Sequence, residues 1–80
     1  MKLQGNHPRI SVDAEIMLGK PCIAGTRIPI YLILRKLAAG MSHGEIREAY
    51  PRLQDGDIEA ALAFAADSLE EPIEPASAAE

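Results

Sequence analysis

Cysteine, histidine and long apolar runs are scarce in this sequence, and each scarcity excludes a class of protein. The 80 residues include one cysteine, Cys22, so the chain cannot form an internal disulfide. That cysteine and the two histidines, His7 and His43, lack the spacing of a metal site. No apolar run reaches the roughly 18 residues that a membrane span needs, and the first ten residues lack the apolar stretch of a signal peptide. We therefore expect a cytoplasmic protein with no metal, no cofactor and no membrane partner.

The short chain limits the size of the hydrophobic core. A single core in a domain this small rarely supplies more than about 3–5 kcal/mol without disulfides, a metal or a partner subunit. Because the sequence offers neither disulfide nor metal, we expect a homodimer or a higher oligomer.

The net charge of −4 conceals an asymmetry between the two halves of the chain. Residues 1–40 carry six basic and two acidic side chains, whereas residues 41–80 carry two basic and ten acidic ones. Such a chain can offer a basic face to one partner and an acidic segment to another. Alternatively, both are solvated faces that attract each other between subunits. The sequence favours neither interpretation.

The N-terminal part of the chain has the features of a small antiparallel sheet. Residues 9–13 alternate polar and apolar side chains, which is the period of a half-buried strand. Residues 20–24 and 26–28 form two further short extended pieces, and Gly25 between them permits the positive φ of a tight turn. Nearby prolines confine these pieces to sheet edges or strand ends. We predict a β-hairpin element of two or three strands.

Two short helices are predicted next. An apolar stripe with helical spacing begins at Ile30, and Gly40 suits the position just past the end of this first helix. Ser42 and Glu45 have the spacing of a capping box for the second helix, which Pro51 ends. The buried side of the second helix is expected to consist of Ile46, Ala49 and Tyr50.

The third helix is predicted over residues 55–69, with its acids on a solvated face. Its expected apolar stripe is Ile58, Ala61, Leu62, Ala65 and Leu69. Residues 70–80 contain two prolines and four acids but no aromatic residue, a composition typical of flexible segments. We therefore predict a mostly α domain over residues 1–69 and a flexible acidic tail over residues 70–80.

The stretch GKPCIAGTRIPI, residues 19–30, is either a phosphate-binding loop or a hairpin. A phosphate-binding loop needs closely spaced glycines that lead into a helix, with a lysine and a hydroxyl at fixed positions. Pro21 removes an amide donor and no helix begins there, so the pattern favours the hairpin. Cys22 lies between Pro21 and Ile23 and is expected to be a small buried thiol. No histidine or acid has the spacing of a catalytic partner for it. We find no enzymatic constellation and expect a protein that is not an enzyme.

The second and third helices suit a helix-turn-helix corner, since about four residues connect them in the predicted arrangement. They also suit any small bundle. The third helix has no lysine or arginine, so it is a poor surface for the major groove of DNA. If the protein binds DNA, the β-hairpin or the start of the second helix is better suited than the third helix to contact the bases. The candidate DNA-binding cations are Arg9, Lys20, Arg27, Arg35, Lys36, Arg47 and Arg52.

Two strings of the sequence resemble a known family. GKPCIAGTRIPI, followed by ILRKLAAGMSHGEIREAYPRLQDGDIEAALAFAAD, is similar to the small bacterial family catalogued as domain of unknown function 433. The pattern of that family combines G-K-P-x-I-x-G-T-R-I-P/V, a helix ending in G-x-S, a Tyr-Pro-x-Leu turn and D-I-x-A-A-L-x-[YF]-x-x-D. The resemblance covers residues 8–68.

The resemblance implies a homeodomain-like helix-turn-helix fold with an N-terminal β element. It further implies a non-enzymatic VapB-type antitoxin of a type II toxin–antitoxin pair, which binds and neutralises a PIN-like ribonuclease toxin. Repression of its own operon is a further expectation. The alternative is a dimeric helix-turn-helix regulator that binds operator DNA and has no toxin partner.

The sequence departs from the family in ways that bear on toxin binding. Many antitoxins insert a basic side chain among the metal-binding acids of a PIN toxin, but the segment after Leu69 has no lysine or arginine. If the tail binds the toxin, it must dock on a basic or apolar surface, and we expect Ile73, together with Leu69 just before the tail, to make the apolar contact. Otherwise Arg27, Arg47 or Arg52 must supply the cation, and of these we select Arg27.

Two further expectations concern the hairpin and the third helix. For Arg27, an ion pair with Asp57 or Asp13 that braces the hairpin against the helices is favoured over contact with a phosphate or a toxin carboxylate. Gln54, at a position where the family often has threonine, is expected to be a poor N-cap for the third helix.

Overall fold

The computed structural model describes residues 2–4 and 6–70, in which a three-stranded antiparallel sheet precedes three helices. The strands are β1 (Lys2–Gln4), β2 (His7–Val12) and β3 (Cys22–Ile23), in the spatial order β1-β2-β3. The helices are α1 (Ile30–Ala38), α2 (His43–Ala49) and α3 (Asp57–Glu70), and a 3-10 turn lies at Met17–Gly19. The prediction of a small three-helix domain with an N-terminal hairpin is therefore confirmed. The predicted acidic tail, apart from Glu70 at the end of α3, lies outside the described residues.

β2 is the central strand of the sheet and corresponds to the strand predicted over residues 9–13. It pairs with β1, which the sequence did not predict, and with β3 through the Ile10–Ile23 and Ser11–Cys22 registers. The prediction of an extended piece over residues 26–28 is only partly correct. The chain does return alongside β3, but an isolated bridge between Cys22 and Pro29 replaces a strand there, because proline has no N–H to continue the ladder.

Local sequence signals set the ends of α1 and α2. Gly40, just past α1, has a φ of +96°, in the left-handed region that glycine adopts without strain. In α2 the predicted capping box is present, since the Oγ of Ser42 accepts a hydrogen bond from the N–H of Glu45 (3.1 Å). The Glu45 carboxylate in turn accepts from the N–H of Ser42 (2.8 Å). Pro51 follows directly after Tyr50, whose backbone is already non-helical.

α3 begins at Asp57, two residues later than predicted. The Oδ2 of Asp57 accepts a hydrogen bond from the backbone N–H of Gln54 (2.8 Å), which fixes the turn that leads into α3. Gln54 lies three residues before the first residue of the helix, so it is not the N-cap of α3. Gly56 precedes the helix with a φ of +89°. The connection from α2 therefore comprises residues 50–56, longer than the roughly four residues typical of a helix-turn-helix corner.

The core lies where the sheet meets the three helices. Its buried apolar residues are Ile10, Cys22, Ile23, Ile30, Ile33, Ile46, Leu53, Ile58 and Ala61. Every helix contributes at least one isoleucine to this set. The first residue of each predicted helical stripe is therefore buried, as expected. None of the helices in the described ranges is long and apolar enough to cross a membrane.

The predicted apolar stripe of α3 is wrong in its second half. Leu62 and Leu69 are 41% and 81% exposed, and Phe64 packs against the core instead. In α2, Ala49 is likewise exposed rather than buried. The small sheet and the short α1 cover one side of α3, so the apolar residues on its neighbouring side remain at the surface.

Candidate functional site

The turn at Gly25 and Thr26 separates two clefts on the surface. The hydroxyl of Thr26 donates to Ile23 O (2.8 Å) and accepts from the N–H of Ile28 (3.0 Å), which closes the turn. Arg52 donates from Nη2 to Gly25 O (2.9 Å) and ties the turn to the α2–α3 connection. Gly25, Thr26 and Arg52 line both clefts, so the turn is their shared wall.

The first cleft, which we call the Arg27 cleft, combines apolar and cationic side chains. It has a volume of about 420 Å³ and is lined by Ser11, Ile16, Gly25, Thr26, Arg27, Ile28 and Arg52. Arg27 is exposed, and it forms no hydrogen bond or ion pair with any residue that the structure describes. An arginine beside isoleucine side chains is a combination common at protein interfaces, where arginine and apolar residues are enriched.

The ion pair expected between Arg27 and Asp57 or Asp13 is not formed. Arg9 takes this place, with its Nη1 at 2.8 Å from the Oδ1 of Asp57. The prediction that the acids of the third helix lie on a solvated face is therefore wrong for Asp57, which is buried. The carboxylate of Asp13 accepts the N–H of Glu15 (2.9 Å), and this bond is the main reason why the pKa of Asp13 lies below its ordinary value.

The second cleft, of about 400 Å³, is polar and already internally paired. Besides its ion pair with Asp57, Arg9 donates to Asp55 O (2.8 Å). Its guanidinium also lies against Gly56, where an added Cβ would stand 3.3 Å from the Arg9 Cζ. Arg9 is thus held by three contacts with the start of α3. We interpret it as a structural residue that joins β2 to α3.

Of the seven cations proposed from the sequence, the structure brings three together around the turn, namely Arg9, Arg27 and Arg52. The other four line neither cleft. Lys20 lies with its Nζ 5.3 Å from the centroid of the Tyr31 ring. Arg35 and Lys36 are in the last turn of α1, and Arg47 is in the last turn of α2. The three arginines meet because β2, the turn and the α2–α3 connection converge, and no sequence spacing predicts that convergence.

A third surface feature, the α1/α3 groove, is almost wholly apolar. It has a volume of about 270 Å³ and is lined by Pro21, Ile30, Tyr31, Leu34, Phe64, Ala65, Ser68 and Leu69. Leu69, predicted as a toxin contact, thus lies at an exposed apolar surface. Ile73, its predicted companion, lies outside the described residues.

The sequence reasoning missed a contact between the first residue of β2 and α3. His7 and Asp67 are joined by a 2.7 Å hydrogen bond between Nε2 and Oδ2. The His7 ring also packs edge-on against Phe64, with centroids 5.4 Å apart and an interplanar angle of 87°. Sixty positions separate the two bonded residues, so no local pattern could have found the pair.

Cys22 is the buried thiol that was predicted. Its Sγ donates a weak hydrogen bond to Lys20 O (3.4 Å), and burial raises the pKa of the thiol. This shift is opposite to the one that activates a nucleophilic cysteine. Among residues 2–4 and 6–70, no three His, Cys, Asp or Glu side chains come together as a metal site would require.

Comparison with known proteins agrees with the resemblance found in the sequence. The family described as "Protein of unknown function (DUF433)" matches residues 10–65. The uncharacterized protein y4eO of Sinorhizobium fredii (strain NBRC 101917 / NGR234) is 34% identical over 56 residues, which are 70% of this chain and 25% of that protein. The chain thus spans a quarter of the length of this curated relative.

A solved structure extends the comparison to the fold. The crystal structure of a DUF433 member protein from Anabaena variabilis ATCC 29413 matches with a TM-score of 0.69 at 24% sequence identity. The match covers 76% of this chain and 59% of that one, and at this identity it shows the fold alone. Because the family match covers residues 10–65, which is more than half of the chain and runs from the second half of β2 to most of α3, the chain belongs to the DUF433 family.

Proposed function

We propose that this protein is the non-enzymatic antitoxin of a type II toxin–antitoxin pair, and that it binds and neutralises a PIN-like ribonuclease toxin. The Arg27 cleft is the observation that carries the proposal. Arg27 is exposed beside Ile16 and Ile28, and it has no partner among the described residues. An arginine in this setting can form a bidentate bond with a carboxylate of a partner protein, while the isoleucines provide apolar contact.

Arg27 is the best candidate among the three arginines of the turn because the other two are already engaged. Arg9 is paired with Asp57, and Arg52 is bonded to Gly25 O. A partner that recruited either one would have to break a bond that stabilises the free protein. Leu69, which the sequence offered as a second toxin contact, is assigned below to a different partner.

The test combines capture with an enzymatic readout. Tagged full-length protein is incubated with nuclease-treated lysate of the native cell, and the ribonuclease activity of whatever it retains is measured on a fluorogenic RNA. We expect a retained ribonuclease that added antitoxin inhibits. Arg27→Ala should weaken retention at least about tenfold, the equivalent of roughly 1.4 kcal/mol. The matched control is Arg47→Ala, which removes an arginine that lines neither cleft.

Two results would argue against the antitoxin. Retention of no ribonuclease would remove the proposed partner. Retention that is equal for the wild type and Arg27→Ala would remove the assigned site and leave the function without its supporting observation.

A second candidate function is a dimeric DNA-binding regulator with a homeodomain-like helix-turn-helix. The observation in its favour is that Arg27 and Arg52 are both exposed at the same cleft. α3 opposes it, since this helix carries Asp57, Glu59, Asp67 and Glu70 and no base. Any DNA contact would therefore come from the turn and not from the helix that normally enters the major groove.

Salt dependence distinguishes this second candidate. Duplex DNA from the upstream region of the gene is titrated by fluorescence anisotropy at several salt concentrations. Two phosphate contacts would give a slope of log affinity against log salt of about −2, and Arg27→Ala would reduce its magnitude by about 1. Absence of binding at low salt, or a slope that Arg27→Ala leaves unchanged, would count against DNA recognition by this cleft.

A further inference from the structure

We infer that the α1/α3 groove is an interface through which two copies of this chain pair about a two-fold axis. The first observation is an apolar seam on α3 that the chain itself leaves largely uncovered. Ile58, Leu62, Ala65 and Leu69 follow one another at intervals of four, three and four residues, the repeat of a helix that packs against another helix. Only Ile58 among these four is buried.

The seam continues across the groove onto α1. Leu69 and Ala65 face the groove from α3, whereas Tyr31 and Leu34 line it from α1. Tyr31 is 45% exposed, so both walls present apolar surface to the solvent. A domain with so few buried apolar residues gains stability by covering such a surface.

Charge identifies the occupant as a second copy. α1 carries Arg35 and Lys36 and no acid, whereas α3 carries no base and three exposed acids, Glu59, Asp67 and Glu70. The Lys20 ammonium, over the ring of Tyr31, adds a further cation to the α1 wall. The residues that line the groove are uncharged, but the two helices that form it carry charges of opposite sign.

Two-fold symmetry turns this opposition into complementarity. In an isologous interface every contact occurs twice: if residue i of one copy contacts residue j of the other, residue j of the first copy contacts residue i of the second. The basic α1 of one copy can therefore pack against the acidic α3 of the other, and this happens twice. Pairing of α3 with α3 would instead place acid opposite acid. A copy of the same chain supplies both the apolar seam and the matching charge without any further assumption.

The interface is expected to be larger than the groove itself. A stable dimer buries about 800 Å² on each subunit, more than eight groove residues provide. We therefore expect the contact to include exposed neighbours of the groove, in particular Arg35, one turn after Tyr31 on α1, and Glu70, next to Leu69 on α3.

Sedimentation equilibrium of the full-length chain tests the interface. We expect the chain to be a dimer at the highest protein concentration of the experiment, on the order of 100 µM. Leu69→Lys should weaken dimerisation at least about tenfold, because it places an unpaired ammonium in an apolar contact. The matched control is Leu18→Lys, which makes the same change at a leucine that is 92% exposed and does not line the groove. It should leave dimerisation unchanged.

Charge reversal tests the pairing of α1 with α3 independently. Arg35→Glu and Glu70→Arg should each weaken dimerisation, and the double variant should regain most of the loss, since the reversed charges again face each other. Both positions are exposed, so these variants remain informative if Leu69→Lys fails to fold by circular dichroism.

A wild-type monomer at the highest concentration would overturn the inference. A dimer that neither Leu69→Lys nor the single charge reversals weaken would overturn it as well. The inference does not depend on the antitoxin proposal. Arg27→Ala should dimerise like the wild type, so failure of one proposal is distinguishable from failure of the other.

Discussion

Replacement of Asp57 is expected to be the most damaging substitution of any polar residue in the described domain. The residue is only 5% exposed, and its two oxygens have separate roles. Oδ1 lies 2.8 Å from the Arg9 Nη1 and joins α3 to β2, whereas Oδ2 accepts the Gln54 N–H at 2.8 Å and fixes the turn before α3. Substitutions that remove one role or both should therefore differ in their cost.

Asp57→Asn removes the charge but keeps an oxygen that can accept the Gln54 N–H. Breaking a fully buried ion pair costs about 3–5 kcal/mol, because an uncompensated charge stays buried. Here the remaining charge is Arg9, whose side chain is 48% exposed and can be hydrated again. We therefore expect Asp57→Asn to lower the free energy of unfolding by only about 1–2 kcal/mol. Asp57→Ala also loses the hydrogen bond from the Gln54 N–H, worth about 1 kcal/mol, so its expected cost is about 2–3 kcal/mol.

Urea unfolding followed by far-UV circular dichroism measures both values. The protein concentration must be held fixed, because dimerisation would make the apparent stability depend on it. Asp55→Ala is the matched control, since Arg9 bonds to the backbone oxygen of Asp55 and not to its exposed side chain. It should change stability by less than about 0.5 kcal/mol. If Asp57→Asn were as mild as this control, the ion pair would contribute nothing and the reasoning would be wrong.

Three further predictions concern local features. Gly25→Ala should lower the free energy of unfolding by about 1 kcal/mol through strain at a φ of +80°. Gly44→Ala, inside α2, should raise the free energy of unfolding by up to about 1 kcal/mol. Thermal unfolding measures both variants, and midpoint temperatures that shift in the same direction for both would contradict this. Ser42→Ala should cost about 1 kcal/mol in the same assay by removing the capping box. Burial raises the pKa of the Cys22 thiol, so stability should be fully present below about pH 8.5, the ordinary thiol value, and fall as the pH rises beyond it. Urea unfolding at several pH values should show that the free energy of unfolding falls less with rising pH for Cys22→Ala than for the wild type.

Features whose causes lie within a few residues of one another could be predicted from the sequence. The capping box needs only Ser42 and Glu45. The C-terminal end of the first helix and the hairpin turn each need only a glycine that can adopt positive φ. In each case the interacting groups are neighbours in the chain, so their spacing is sufficient evidence. The identity of Cys22 as a buried thiol followed from its apolar neighbours in the same way.

Features that depend on distant contacts could not be predicted. Asp57 pairs with Arg9, 48 positions away, whereas the sequence offered Arg27 as its partner. Which side of α3 faces the core depends on where β2 and α1 pack, so the stripe could not reveal that Leu62 and Leu69 would remain exposed. The Arg27 cleft likewise exists only because three separate segments converge at the turn.

The charge asymmetry of the chain left two interpretations open, and the arrangement of the helices bears on both. The basic α1 and the acidic α3 flank the same apolar groove, a geometry that favours attraction between subunits. Arg27 lies outside this groove, in a cleft with no acid among its lining residues. The two interpretations therefore need not compete, because they concern different surfaces. If both proposals are correct, Leu69→Lys should bind the ribonuclease as a monomer, whereas Arg27→Ala should form a dimer that does not bind it.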